Sequence, residues 1–176
     1  MTEPRTFAVL VEDLPGVLNR VASLFRRRNF NIISLNVGAT HEEGVSRMTL
    51  VVEADERTAG LIEANLYKLV NVLAVEDITA RASVTRDLAL IRVRANASQR
   101  PAVLQICELF RARVVDVAPE SLMVEIAGTA EKIEGLVALL RPFEITEMVQ
   151  TGAIALTRGA DVGAAQLHER ASREAA

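Results

Sequence analysis

The residues of this chain whose types and spacing could do chemistry lie near its start, in Glu12-Asp13-Leu14-Pro15-Gly16-Val17-Leu18. The stretch reads as a strand that ends in an acid, turns at Pro-Gly and launches a helix. Leu18, Val21, Ala22 and Phe25 then repeat at the spacing of one helical face. Pro15 stands where the chain leaves the strand, and Gly16 lets the backbone approach whatever lies above it. A helix start presents unpaired N–H groups at the positive end of the macrodipole, which suits a carboxylate. Asp13, just before the turn, can accept hydrogen bonds from an ammonium group. An amide nest beside a lone acid suits a small zwitterion, which is what a free amino acid is. The same seven residues also describe an ordinary strand-to-helix turn with nothing bound, and by themselves they favour that plainer reading.

Other chemistries find less support. The histidines are His41, in a hairpin loop, and His168, in the C-terminal tail, and neither lies near a candidate nucleophile. Cys107 shares a helical face with Val103, Ile106 and Phe110, which reads as a small core residue rather than a reactive thiol. Glu42-Glu43 and Glu76-Asp77 fall in a loop and on a strand, where solvated charge is the default. No metal-ligand spacing and no glycine-rich phosphate loop is present. No catalytic residues are expected in this chain, nor a metal or cofactor. The run Arg26-Arg27-Arg28 closes the first helix. A net charge of −3 and an aromatic content of 3% argue against nucleic acid as its partner. Either a solvated helix end or a docking point for an acidic patch of another protein fits that run, and sequence does not separate the two.

The elements that position these residues follow from periodicity. Phe7, Val9 and Val11 alternate with Ala8 and Leu10, so both faces of the first strand are apolar, as in a central strand. Asn29 after the arginines suits a left-handed helix cap. Ile33, Leu35 and Val37 alternate with polar residues, a hairpin loop follows at His41–Gly44, and Arg47–Val52 returns. A second helix opens at Ala54-Asp55-Glu56 and carries Ile62, Leu66 and Leu69 on one face; Val72–Ile78 is again a strand. The order βαββαβ packs two helices on one face of a four-stranded antiparallel sheet. The pattern then repeats. A strand at Leu88–Ala95, a helix through Val103 and Phe110, and strands at Val114–Val117 and Leu122–Ala127 are followed by a helix stopped at Pro142. Strands at Ile145–Val149 and Ala153–Leu156 close this second unit. The expected class is α+β, with two ferredoxin-like βαββαβ domains at residues 5–81 and 84–158. The tail, 159–176, is Ala-rich and polar and is expected to be disordered. No run approaches the roughly 18 consecutive apolar residues of a membrane span, and one cysteine allows no intrachain disulfide, so a cytoplasmic protein is expected.

A strand, Asp-x-Pro-Gly, a helix and a second strand resemble the ACT domain, a small amino-acid-sensing module. Longer stretches narrow the resemblance. Val11–Leu18, Phe30–Gly38, Ser46–Thr49, Lys68–Leu73, Phe110–Val117 and Ala153–Gly159 are similar, in order, to the regulatory (small) subunit of acetolactate synthase. The resemblance implies a non-catalytic chain that binds and activates a separate catalytic subunit carrying thiamine diphosphate, Mg and FAD. It further implies feedback inhibition by valine, leucine or isoleucine. It implies a homodimer whose ACT domains pair edge to edge with the amino acid held at their junction. Carried over by position, Asp13, Leu14, Pro15, Gly16, Val17 and Leu18 would hold the ligand's polar end. Asn31 and Ile32 of the other protomer would close the pocket. Some family members carry Asn where Asp13 stands, and many carry Gly where Asn29 stands. Two rival readings are a stand-alone amino-acid sensor that regulates transcription or another enzyme, and a small enzyme on the same scaffold.

Overall fold

The structure, a computed structural model, describes residues 2–159. The expectation of disorder beyond Gly159 lies outside the described residues. The described residues form two compact units, one comprising residues 2–84 together with 153–159, the other comprising 85–152.

In the first unit the elements are β1 (Glu3–Glu12), α1 (Val17–Arg28), β2 (Ile32–Ala39), β3 (Val45–Ala54), α2 (Glu56–Leu66) and β4 (Val72–Asp77). The sheet order is β2-β3-β1-β4, with every pair antiparallel. Phe7, Val9 and Val11 on β1 meet Val21, Phe25, Ile62 and Leu66 of the helices in one core, so the helices cover that face. Ala8 and Leu10 on the opposite face are also buried, as the two-sided apolar pattern of a central strand demands. One cap anticipated from residue type forms, at Asn29, and a second appears at Asp55, within the stretch read as opening α2. Asn29 ends α1 at φ 57°, and the Asp55 carboxylate accepts the Thr58 N–H at 2.7 Å to start α2.

The face α1 buries differs from the expected one. Val17, Val21, Leu24 and Phe25 are buried, whereas Leu18 is 46% exposed and Ala22 is exposed. Two overlapping stripes at helical spacing share Val21 and Phe25, and the core takes the one with more apolar volume.

The second unit repeats the order with β5 (Ser83–Arg94), α3 (Arg100–Phe110), β6 (Arg113–Ala118), β7 (Ser121–Gly128), α4 (Ala130–Leu140) and β8 (Ile145–Gln150). Its path is β6-β7-β5-β8, and Ile91, Val93, Val103, Val124, Ile133, Leu136 and Leu140 are among its core. Beyond α4, a 3-10 turn at Arg141–Phe143 holds Pro142, which cannot continue the helix. β5 begins at Ser83, so the expected linker Arg81-Ala82-Ser83 is shorter than anticipated.

The last strand, β9 (Ile154–Thr157), pairs with β5 and so belongs to the second sheet, where the sequence reading had it, while its residues cluster with the first unit. The Arg47 guanidinium donates to the Ala155 carbonyl at 3.0 Å, and the Arg158 N–H donates to the Ala82 carbonyl at 2.7 Å. Ala155 packs with Ala8 and Ile78, while Ile154 and Leu156 are exposed. Small side chains let the strand lie close to its neighbours, so here the alanines face inward and the larger residues outward. Burial pushes the Arg47 guanidinium below its ordinary pKa, an effect the charge of Glu76 partly offsets.

Candidate functional site

The corner between β1 and α1 is held on both sides by loops from elsewhere in the first unit. The Glu12 N–H donates to the Asn71 carbonyl at 2.9 Å, and the Asp13 N–H donates to the Gly44 carbonyl at 2.8 Å. The turn closes with Leu14 N–H to Glu12 O at 3.0 Å and Val17 N–H to Leu14 O at 3.3 Å. Gly16 stands at φ 87°, ψ −5°, a left-handed conformation that favours glycine. A β-carbon there would meet no atom within 4 Å, so the space above the backbone is open. No side chain caps α1, and no acid lies in its first turn. The positive end of this helix thus carries no carboxylate of its own, and an anion from outside would be favoured there.

Around this opening the expected site residues divide. Asp13, Leu14, Pro15 and Gly16 are exposed, as is Leu18. Val17 is buried in the first core, so only its backbone faces the corner. Asn31 and Ile32 stand apart from these. Asn31 is exposed, and Ile32 starts β2 and packs partly on the core. β3 separates β2 from β1, which puts the two strands about 10 Å apart at the usual sheet spacing. Among the described residues no hydrogen bond joins Asn31 or Ile32 to residues 13–18. One chain therefore presents the two expected parts of the site separately.

β2 is also the outermost strand on its side of the sheet. It exposes Ile33 and Val37, and the buried Ser34 hydroxyl has no hydrogen-bond partner. A long edge strand with exposed apolar residues is suited to pairing with another strand.

The second unit has an equivalent corner between β5 and α3, tied down by the same two backbone bonds. The Arg94 N–H donates to the Glu144 carbonyl at 3.0 Å, and the Ala95 N–H donates to the Glu120 carbonyl at 2.9 Å. Here, however, side chains close the turn ahead of the helix, although α3 itself, like α1, has no side-chain cap. The Asn96 carboxamide oxygen accepts from the N–H groups of Ser98 and Gln99, both at 3.1 Å, and from the Ser98 hydroxyl at 2.7 Å. The Gln99 side chain accepts the Asn96 N–H at 3.2 Å. This corner offers far less to an incoming carboxylate.

Groups that sequence reasoning set aside as catalysts are placed as follows. His41 is exposed in its loop, Cys107 is buried, and burial pushes its thiol pKa up, away from the reactive thiolate. His168 lies outside the described residues. Among the described residues no cluster of three or more His, Cys, Asp or Glu is arranged to hold a metal ion. Among them, too, no helix is long and apolar enough to cross a membrane. Arg27 and Arg28 line a groove of about 480 Å³ with Leu24, Asn65, Lys68 and Leu69, at the C-terminal ends of α1 and α2. Sequence reasoning missed Glu12, Arg20 and Asn71 as partners at the corner. An Asn before a strand reads as turn chemistry, and nothing local shows that it is buried.

Comparison with known proteins follows the same division into halves. Residues 7–74 match the family described as the AHAS small subunit-like ACT domain, and residues 86–159 match the family described as the small subunit of acetolactate synthase. The acetolactate synthase small subunit of Mycobacterium leprae is 53% identical over 154 residues, covering 88% of this chain and 91% of the relative. That of Mycolicibacterium smegmatis is 48% identical over 166 residues, covering 94% and 98%. The crystal structure of the acetolactate synthase small subunit from Thermotoga maritima superposes with a TM-score of 0.84. The identity there is 36%, over 89% of this chain and 98% of that one.

Proposed function

The chain belongs to the family of acetolactate synthase small subunits, and we propose that it is the regulatory, non-catalytic partner of a catalytic subunit of that enzyme. In this reading the small subunit raises the activity of its partner and makes it sensitive to a branched-chain amino acid. Thiamine diphosphate, Mg and FAD belong to the partner. The observation that carries the amino-acid site is the uncapped, open corner at Gly16, beside the exposed Asp13. The helix start and its amides would take the ligand carboxylate, and Asp13 would take the ammonium. Leu18, half exposed at the same corner, offers apolar surface to a branched side chain.

In the same reading the chain is a homodimer. The exposed edge of β2 would pair with its copy, which would bring Asn31 and Ile32 of one protomer to the corner of the other. Valine bound there would favour one arrangement of the pair and so alter its grip on the catalytic subunit. Such coupling is typically about 1–3 kcal/mol and is reciprocal for binding. Calorimetric titration of the full chain with valine, leucine and isoleucine, with and without the catalytic subunit, tests this. Saturable binding of at least one, tighter or weaker in the complex, is the expected outcome. No heat from any of the three in either state would sink the reading.

A further inference from the structure

Asn71, in the short connection between α2 and β4, is 9% exposed yet fully polar. Its carbonyl accepts the Glu12 N–H, its side-chain Nδ2 donates to the Glu12 carboxylate at 2.5 Å, and its Oδ1 accepts from the Arg20 guanidinium. Carboxylates only accept and guanidinium only donates, so these partners settle which way the carboxamide points. Two of the three bonds involve a charged group, the stronger class of hydrogen bond. One residue thereby ties the last residue of β1 to the first turn of α1, on either side of the turn at Asp13–Gly16. In the second unit α3 is tied instead through its first residue, Arg100, whose guanidinium donates to the Ala118 and Pro119 carbonyls at 2.6 Å. There Glu144 occupies the matching place and pairs with Arg94 at 2.8 Å, and both side chains are 60% exposed.

We propose that Asn71 is a positioning residue for the amino-acid site: by joining Glu12 to Arg20 it sets where the first amides of α1 point, and so how tightly the corner holds its ligand. This rests on the amino-acid site described under the proposed function. The helix start has no side-chain cap to fix it, so bonds of this kind add to the backbone ties and the core packing of Val17 and Val21 that hold it. A merely structural role would lower stability without touching ligand affinity.

The test uses the full chain carrying Asn71→Leu, Asn71→Asp, Arg20→Met or Arg20→Met with Asn71→Leu. Valine affinity is measured by calorimetry and amide hydrogen exchange by mass spectrometry. Asn71→Leu and Arg20→Met should each weaken valine binding about tenfold, the scale of one charge-assisted hydrogen bond, and the double variant should be no worse than either. Asn71→Asp keeps the acceptor for Arg20 but replaces the donor to Glu12 with a like charge, so it too should weaken valine binding about tenfold. Exchange at residues 13–20 should quicken in the two single variants, with the rest of the chain unchanged. Wild-type affinity in Asn71→Leu and Arg20→Met would overturn the proposal even if exchange quickened. Should Asn71→Leu fail to fold, Arg20→Met, a change on the exposed side of α1, still decides it. If the wild type binds no valine, leucine or isoleucine, the site reading itself falls. Exchange at 13–20 then decides the clamp alone, with unchanged exchange in both variants overturning it.

Discussion

The two strand-to-helix corners of this chain start from the same backbone plan and end in opposite states. Each hangs its last strand residue and the next one on carbonyls of two distant loops, Asn71 and Gly44 in the first unit, Glu144 and Glu120 in the second. In the second, Asn96 and Gln99 then satisfy the exposed amides from within. In the first, a glycine at φ 87° starts the helix with no side-chain cap. Helix α3 also lacks one, so the difference lies in the turn ahead of the helix, which Asn96 closes only in the second unit. Leaving out such an acceptor typically sacrifices about 1 kcal/mol of stability, so the open corner points to another demand on those amides. Duplicated architecture thus does not imply duplicated binding: the corners differ in whether the chain supplies its own acceptor.

That contrast can be broken from either side. The largest effect is expected from Gly16→Asp, which sets a side chain on a left-handed backbone and a negative charge where a carboxylate must approach. In the enzyme reconstituted with the catalytic subunit, valine sensitivity should fall more than about tenfold, with activation largely kept. Leu14→Asn copies the Asn96 device into the first corner. If its carboxamide takes the free amides, valine affinity by calorimetry should drop about fivefold while the thermal midpoint rises or holds. Asn31→Ala should weaken valine inhibition about threefold, the scale of one neutral hydrogen bond. Unchanged sensitivity in that variant would remove Asn31 from the site.

The second corner supplies the controls. Asn96→Ala should destabilise the chain by about 1 kcal/mol in thermal unfolding and leave valine affinity untouched, since its bonds are structural. A loss of valine binding there would mean that the two corners are not as separate in function as in the closure of their turns. Arg94→Ala, which removes an ion pair exposed by 60% on both sides, should change stability by less than about 0.5 kcal/mol and binding not at all.

Much of the fold is legible in the chain alone, because it is written in local periodicity. Alternation in Phe7–Val11 marks a central strand. Residue type alone marks Asn29 as a cap, and the structure bears it out. The opening at Gly16 is legible in part, since Pro-Gly after a strand is a turn with a mechanism. Which stripe of α1 faces inward is less so: Val17 and Leu18 are adjacent and both apolar, and their opposite fates depend on what the sheet presents. Nor does Asn71 announce itself, because its partners Glu12 and Arg20 are 59 and 51 residues away.

By itself, the sequence determined the two βαββαβ repeats, the Asn29 cap and the position of a turn suited to an anion, since each depends on residues within one or two helical turns of one another. Tertiary structure alone decided that Ala153 and Ala155, rather than Ile154 and Leu156, face inward. It also decided that one corner stays open under the hold of Asn71 while the other closes on Asn96. Strand alternation leaves inside and outside interchangeable until a neighbour arrives, and a hydrogen bond across fifty residues has no local signature.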